Sequence, residues 1–211
     1  MGILERKEKQ KTELRHLILE ASMELFVQEG FEKVSIRKIA EKIEYSPTTI
    51  YLYFKDKNEI LYQLNMIGFG IMAEYNKDLP AIKNPLLRLH KMGENYIRFG
   101  MENPHYYDLM FIQQAPMEAL EKLACEEWEA GDRAFDALCE VIRECMDANL
   151  IIQGDVVAAA LAIWGMVHGL VALTVRQRLG KMLKDGRTVD EAINQALTFF
   201  LNAIDHTLTR K

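Results

Sequence analysis

Over residues 13–28 the apolar side chains of Leu14, Leu17, Ile18, Ala21, Leu25 and Phe26 recur at intervals of three and four, and Gly30 stands just past them. That spacing puts one apolar stripe on a helix and supplies the residue best suited to a left-handed C-cap. The same period returns through nearly the whole chain, no long stretch alternates apolar with polar residues, and breakers are few, with 12 glycines and 5 prolines among 211 residues. The expected fold class is therefore all α. With 49% hydrophobic residues the chain can fill a core without covalent staples. Cys125, Cys139 and Cys145 form an odd set, and "MGILERKEKQKTEL" lacks a signal-peptide pattern, so free thiols and a cytoplasmic location are expected.

The next elements are short. A second helix is expected over residues 35–43, with Ser35 as N-cap and Val34 packing on Ile39 as a hydrophobic staple. A third begins with Ser46 as N-cap and Pro47 at the first helical position, where a missing N–H costs nothing, and Tyr45 is placed to staple on Ile50. A fourth opens on a capping box, Asp56 with Glu59 three later, and runs past Leu61 and Leu64 toward the low seventies. After the break at "DLPAIKNP", helices are expected over 86–101, 106–114, 117–148, 155–179 and 189–209.

Two short helices joined through "IEYS" fit a helix-turn-helix, whose second helix enters the major groove of DNA with its N-terminal residues toward the bases. Small side chains at that point let the backbone approach closely. Thr48 and Thr49 can donate to phosphates or base edges, and a threonine methyl can touch a thymine methyl. The helix N-terminus adds unpaired N–H groups and the positive end of its dipole. The candidate DNA-binding residues are Ser35 and Arg37 at the start of the second helix, Ser46, Pro47, Thr48, Thr49, Tyr51 and Tyr53 on and around the third, and Lys57 at the start of the fourth. Ile50 and Phe54, four apart, are expected to face the core while Tyr51 and Tyr53 reach outward. Charge agrees: residues 1–57 carry 11 Lys and Arg against 10 Asp and Glu, and the remainder 15 against 21. The basic run "ERKEKQK" is expected to be a frayed start or a mobile arm.

With these residues in place, the stretch "TELRHLILEASMELFVQEGFEKVSIRKIAEKIEYSPTTIYLYFKDKNEIL" resembles the DNA-binding domain of the TetR family of transcriptional regulators. The resemblance covers about the first 65 residues and rests on "F-x-x-x-G-F-x-x-V-S", "I-A", then Ser46, Thr49, Tyr51, Phe54 and Lys57. Glu44 departs from it, standing where the family often carries glycine in the turn. The resemblance implies a DNA-binding domain over residues 1–57 and a helical ligand-binding and dimerisation domain over 58–211. It also implies a dimeric repressor that binds a double-stranded, near-palindromic operator and is released by a small apolar or amphipathic ligand. The segment "IWGMVHGLVAL" resembles a C-terminal subtype marked by Trp-Gly…His-Gly.

In that larger part, residues 156–175 include no formally charged side chain. Length alone permits a membrane span, and a membrane-attached helical protein with a cytosolic head is the alternative reading. A helix apolar on most sides also fits burial between its own bundle and a partner subunit, and this reading, with no membrane partner, is preferred. Gly165 and Gly169 permit close helix approach, and Ala192, Ala196 and Phe200 continue the apolar stripe of the last helix; these five are the candidate dimer interface. Aromatic and sulfur-bearing side chains concentrate between these regions. The candidate ligand-binding residues among them are Tyr96, Tyr107, Phe111, Trp128, Trp164 and His168, the last expected as a hydrogen-bonded core histidine. No "GxSxG", "HExxH", phosphate loop or Cys-x-x-Cys occurs, so no catalytic residue, metal site or cofactor is expected.

Overall fold

The computed structural model describes residues 2–113 and 129–205. Their helices are α1 (Ile3–Glu29), α2 (Ile36–Lys42), α3 (Pro47–Tyr51), α4 (Lys57–Tyr75), α5 (Pro85–Glu102), α6 (Pro104–Phe111), α7 (Glu129–Asp147), α8 (Val156–Val175), α9 (Leu179–Met182) and α10 (Val189–Ile204), with 3₁₀ turns at Phe31–Lys33 and Leu79–Ala81. The fold is all α, as the periodicity requires. Two compact units form: one takes the chain up to Gly68 together with the segment that begins at His105, the other runs from Phe69 to Pro104 and resumes at Glu129.

In the first unit, Ile18 and Phe26 of α1, Ile39 of α2, Ile50 of α3 and Phe54 pack into one core in which each is 0–1% exposed. The expected caps form: the Ser35 hydroxyl accepts the Lys38 N–H and the Ser46 hydroxyl accepts the Thr49 N–H, each at 3.2 Å, and Pro47 opens α3. Tyr45, expected to staple onto Ile50, stays exposed. The turn between α2 and α3 closes as a Schellman motif, with Tyr45 N–H donating to Ala40 at 3.0 Å and Glu44 N–H to Glu41 at 3.3 Å. Glu44 therefore sits at φ 60, a left-handed conformation that costs a residue with a Cβ about 1–2 kcal/mol. The same paired bonds, with positive φ at Asn149 and Gln177, end α7 and α8.

Several helix limits differ from expectation, among them α6, which spans Pro104–Phe111 and not 106–114, and two differ for a direct physical reason. α1 begins ten residues earlier than its apolar stripe, because "ERKEKQKTEL" contains only residues that tolerate helix and a nucleated helix propagates through them without a core to cover. The Gly2 N–H donates to Glu5 at 2.7 Å and Lys9 pairs with Glu13 at 3.7 Å, so the basic run is helical and not a frayed start. α8 stops at Val175, short of 179, because its C-terminal carbonyls turn to the N–H groups of Gln177 and Arg178. At α4 the box is offset. Asp56 accepts the Glu59 N–H at 2.9 Å, but the Glu59 carboxylate reaches back to the N–H of Lys55 at 2.6 Å, one residue beyond the cap. The expected helix over 117–148 is seen from Glu129, and the last helix, expected to reach 209, ends at Ile204, because Asp205 turns extended and bridges to Ile151.

In the second unit, α5 is opened by Asn84, whose side chain accepts the N–H groups of Leu86 and Leu87 at 2.9 and 3.1 Å. Arg88 ties α5 to α7, placing Nη1 2.9 Å from both oxygens of Glu144. Asn95, buried, donates to the Tyr75 carbonyl at 2.7 Å and so holds the last turn of α4. α8 sends Ala160, Ile163, Val167 and Val171 inward, while Val157, Leu161 and Leu173 remain exposed. By length and composition this helix could cross a membrane. Ala160 and Ile163 of its inward stripe belong to a protein core shared with α5 and α7. Cys139 and Cys145 are buried free thiols, and burial pushes the Cys145 thiol up to about 11.

Candidate nucleic-acid interface

Helix α3 has five residues, and its first turn carries the short polar side chains. Thr48 is exposed, and Thr49 is partly exposed with its hydroxyl 2.9 Å from that of Ser46. The two threonines therefore differ: Thr49 is tied into the cap, whereas Thr48 is exposed. Tyr51 is 56% exposed and Leu52 is 76% exposed. Leu52 was not singled out from sequence, since an apolar residue beside Ile50 and Phe54 reads as core until the end of α3 is known. Ser35 and Arg37 are exposed on α2, and Arg37 Nε donates to Glu41 at 2.9 Å within the same helix.

Two residues differ from their expected orientation. Tyr53 is partly buried, its ring packed against the core of the first unit. The cause is the tight exit from α3, where the N–H groups of Tyr53 and Phe54 both turn back to the Ile50 carbonyl, at 2.9 and 3.0 Å. Lys57 is likewise folded onto its own domain. Its Nζ donates to the Phe31 carbonyl at 2.8 Å and lies 4.0 Å from the centre of the Phe31 ring. Burial pushes the ammonium below its ordinary pKa, with Glu32 opposing the shift.

The α2 cations are also engaged: Lys42 pairs with Glu24 at 2.8 Å and Lys38 with Glu29, both on α1. These contacts fix α2 against α1.

The aromatic residues expected to bind ligand divide between the units. Tyr107, fully buried, and Phe111 meet as a tilted pair in the first, with ring centres 5.6 Å apart. Tyr96, Trp164 and His168 come together in the second: the Tyr96 hydroxyl is 3.0 Å from His168 Nδ1, the Trp164 and His168 rings are 5.7 Å apart, and Phe135 stands edge-on to Trp164 at 6.4 Å. Trp128 lies outside the described residues. His168 is hydrogen-bonded and half-buried, and burial lowers its pKa from 6.5, so it is neutral at pH 7. Because the unfolded chain takes up the proton first, the stability held by neutral His168 is complete above about 6.5 and is lost as pH falls toward the lower folded value. The thermal midpoint is expected to fall on acidification from pH 7.5 to 5.5, and His168→Gln to flatten that part of the profile.

Of the residues expected at the dimer interface, Gly165 is exposed, and at Gly165 and Gly169 an added Cβ would meet open space among the described residues. Ala192 and Ala196 are partly buried, and Phe200 packs partly into the core of its own unit. Phe199, one position before it, is the outward ring, at 77% exposure.

This arrangement of short helices and larger bundle has relatives. Residues 18–64 match the model of bacterial regulatory proteins of the tetR family, and residues 89–199 match that of the tetracyclin repressor-like C-terminal domain. An HTH-type transcriptional regulator of Haemophilus influenzae is 36% identical over 95 residues, which are 44% of this chain and 51% of that protein, so the chain spans about half the length of that relative. The regulator AcrR of Shigella flexneri is 25% identical over 180 residues, 79% of this chain and 80% of its own. The crystal structure of AibR shares the fold with a TM-score of 0.63 at 20% identity, covering 90% of this chain and 97% of that one. The second model spans more than half of the sequence and the first covers the two short helices and the turn between them, so the chain belongs to the TetR family of transcriptional regulators.

Proposed function

We propose that the chain is a dimeric, ligand-responsive repressor that reads a near-palindromic operator with α3 and is released by a small apolar or amphipathic ligand. The observation that carries this reading is the first turn of α3: Ser46, Pro47, Thr48 and Thr49 form a proline-started, hydroxyl-capped edge backed by fully buried Ile50 and Phe54. Such an edge is slim enough to enter a major groove and stiff enough to keep its register. Thr48 and exposed Leu52 face base edges and thymine methyls, while Ser35, Arg37, Ser46 and Tyr51 donate to the sugar-phosphate backbone. Tyr53 supports this edge from behind.

Two such edges must sit roughly 34 Å apart, or a multiple of that, to read both halves of an operator, which requires two copies of the chain. The outward face of α8, with Gly165, Gly169 and Leu161, and that of α10, with Ala192, Ala196 and Phe199, suit a second copy of the same surface. The ligand is assigned to the cluster of Tyr96, Trp164 and His168, with aromatic walls and a neutral imidazole–phenol pair as the polar handle. AibR was solved with isovaleryl coenzyme A and operator DNA, which favours an acyl group as the apolar part of the ligand. Bound ligand shifts the dimer toward a state whose heads mismatch the half-site spacing, by no more than its differential affinity for the two states.

The test is selection of bound duplexes from random DNA, with and without acyl thioesters. Thr48→Ala is expected to change preference among duplexes at one or two positions by about 1–3 kcal/mol. Thr49→Ala, which also loses a partner of the Ser46 cap, is expected to weaken all duplexes as well. If both substitutions leave the preferred sequence untouched, α3 is not the reading element.

A further inference from the structure

We infer that the first turns of α1 are a second DNA-contacting element of the head, in which Lys7 and Lys11 neutralise phosphates of the duplex that α3 reads; this rests on the DNA-reading role proposed above. α1 begins well before its core. Residues 4–13 are all exposed, Leu4 at 82%, and Leu14 is the first described side chain packed against the core of the unit. A helical extension that covers no core has only the charge pattern along its sides to offer a partner.

Those sides differ. On one, opposite charges stand four apart: Lys9 pairs with Glu13 at 3.7 Å, and His16 stands 3.3 Å from Glu20. On the other, the four-residue steps run Lys7, Lys11, Arg15, three cations in a row. Lys7 has only Ile3, Leu4, Gln10 and Lys11 three and four residues away, none of them acidic. Among the described residues neither Lys7 nor Lys11 forms an ion pair. Like charges at this spacing work against a helix, and a polyanion laid along the row removes that repulsion. The last member fixes where the row runs. Arg15 lies over the ring of Phe54, 5.1 Å from its centre, and donates to Gln63 of α4 at 2.9 Å. Phe54 stands in the exit from α3, so the cation row leads to the foot of the reading helix, with Lys11 and Lys7 about 6 and 12 Å before Arg15 along the helix axis. Phosphate is assigned over base edges, because the row lies on α1, outside the two short helices, and an ammonium on a flexible stem acts as a point charge.

The experiment measures affinity of the full chain for selected duplexes over a range of salt concentrations. It compares the parent with the double variant Lys7→Gln, Lys11→Gln and, separately, with Lys9→Gln on the paired side. Glutamine has a helix propensity close to that of lysine and removes the charge. The double variant is expected to bind every duplex about ten-fold or more weakly at about 0.1 M salt, with the slope of log K against log salt smaller by about 1.8, two contacts of about 0.9 each. Its thermal midpoint should match the parent's, since both side chains are exposed. Lys9→Gln is expected to leave the slope as it is. An unchanged slope in the double variant shows a solvated helix face and overturns the inference. The same fall per charge in Lys9→Gln shows only the field of the net charge and overturns it too. A loss limited to particular duplexes replaces phosphate with base readout and counts equally against it. If Thr48→Ala shifts sequence preference while the double variant keeps the parent slope, α3 reads DNA and the α1 row does not touch it. If the parent chain binds no duplex in a salt-dependent way, the DNA-reading proposal falls and this inference falls with it.

Discussion

The pair Leu161→Glu and Phe199→Glu is expected to yield a folded monomer that binds its operator about 10²–10⁴-fold more weakly than the parent chain. Both side chains are exposed in the single chain, at 52% and 77%, so neither substitution removes a core contact, and circular dichroism should be unchanged. The effect follows from the interface of the proposed dimer. α8 is twenty residues long, only its inward stripe is accounted for by its own bundle, and the outward Val157, Leu161 and Leu173 gain by leaving water against a second copy. A carboxylate placed there must be desolvated without a partner, which costs several kcal/mol per ion and outweighs that gain. A monomer then reads one half-site and forfeits the intramolecular second contact. Sedimentation equilibrium and duplex titration check the two steps separately. A variant that stays dimeric would show that copies meet elsewhere, and a monomer with undiminished affinity would show that one head suffices.

For Phe54→Ala the expectation is a loss of about 3–5 kcal/mol of stability, read as a lower denaturant midpoint. Phe54 is 1% exposed, closes the core beneath α3, and lies under the Arg15 guanidinium, 5.1 Å from its ring centre. Arg15 is itself fixed to Gln63 of α4 at 2.9 Å, so the ring is clamped from both sides and the space it leaves cannot easily collapse. Whole domains are stable by only about 5–15 kcal/mol, so this single truncation should unfold much of the head near physiological temperature and abolish operator binding there. A loss below about 1 kcal/mol would mean that the ring is not a core element.

Much of the candidate site was legible because its signals are local. Ser35 and Ser46 as caps, Pro47 at the first position of α3, and Ile50 with Phe54 turned inward all depend on groups within four residues of one another, and each stands where expected. Positive φ in the turn at Glu44 belongs to the same class, since the Schellman closure involves only residues 40–45. The limits of α1 and α8 were less legible. Apolar periodicity reports the part of a helix that packs, whereas α1 continues past its core and α8 ends before its apolar run does. Phe199 and Phe200 show the same weakness at one-residue scale, because adjacent phenylalanines are equivalent in composition and only the packed bundle distinguishes them.

By itself the sequence determined an all-α chain, a capped pair of short helices with hydroxyls at the start of the second, and an uncharged twenty-residue helix that has to be covered. Each follows from backbone and side-chain chemistry at short range. Only the tertiary structure decided that Lys57 spends its charge on Phe31, 26 residues away, that Tyr53 packs inward, and that Tyr96 meets His168 across 72 residues of chain. A cation, a phenol or an imidazole has no preferred partner in sequence. Its position is settled by which carbonyl, ring or hydroxyl the packed helices bring within about 3–4 Å, the range over which these interactions act.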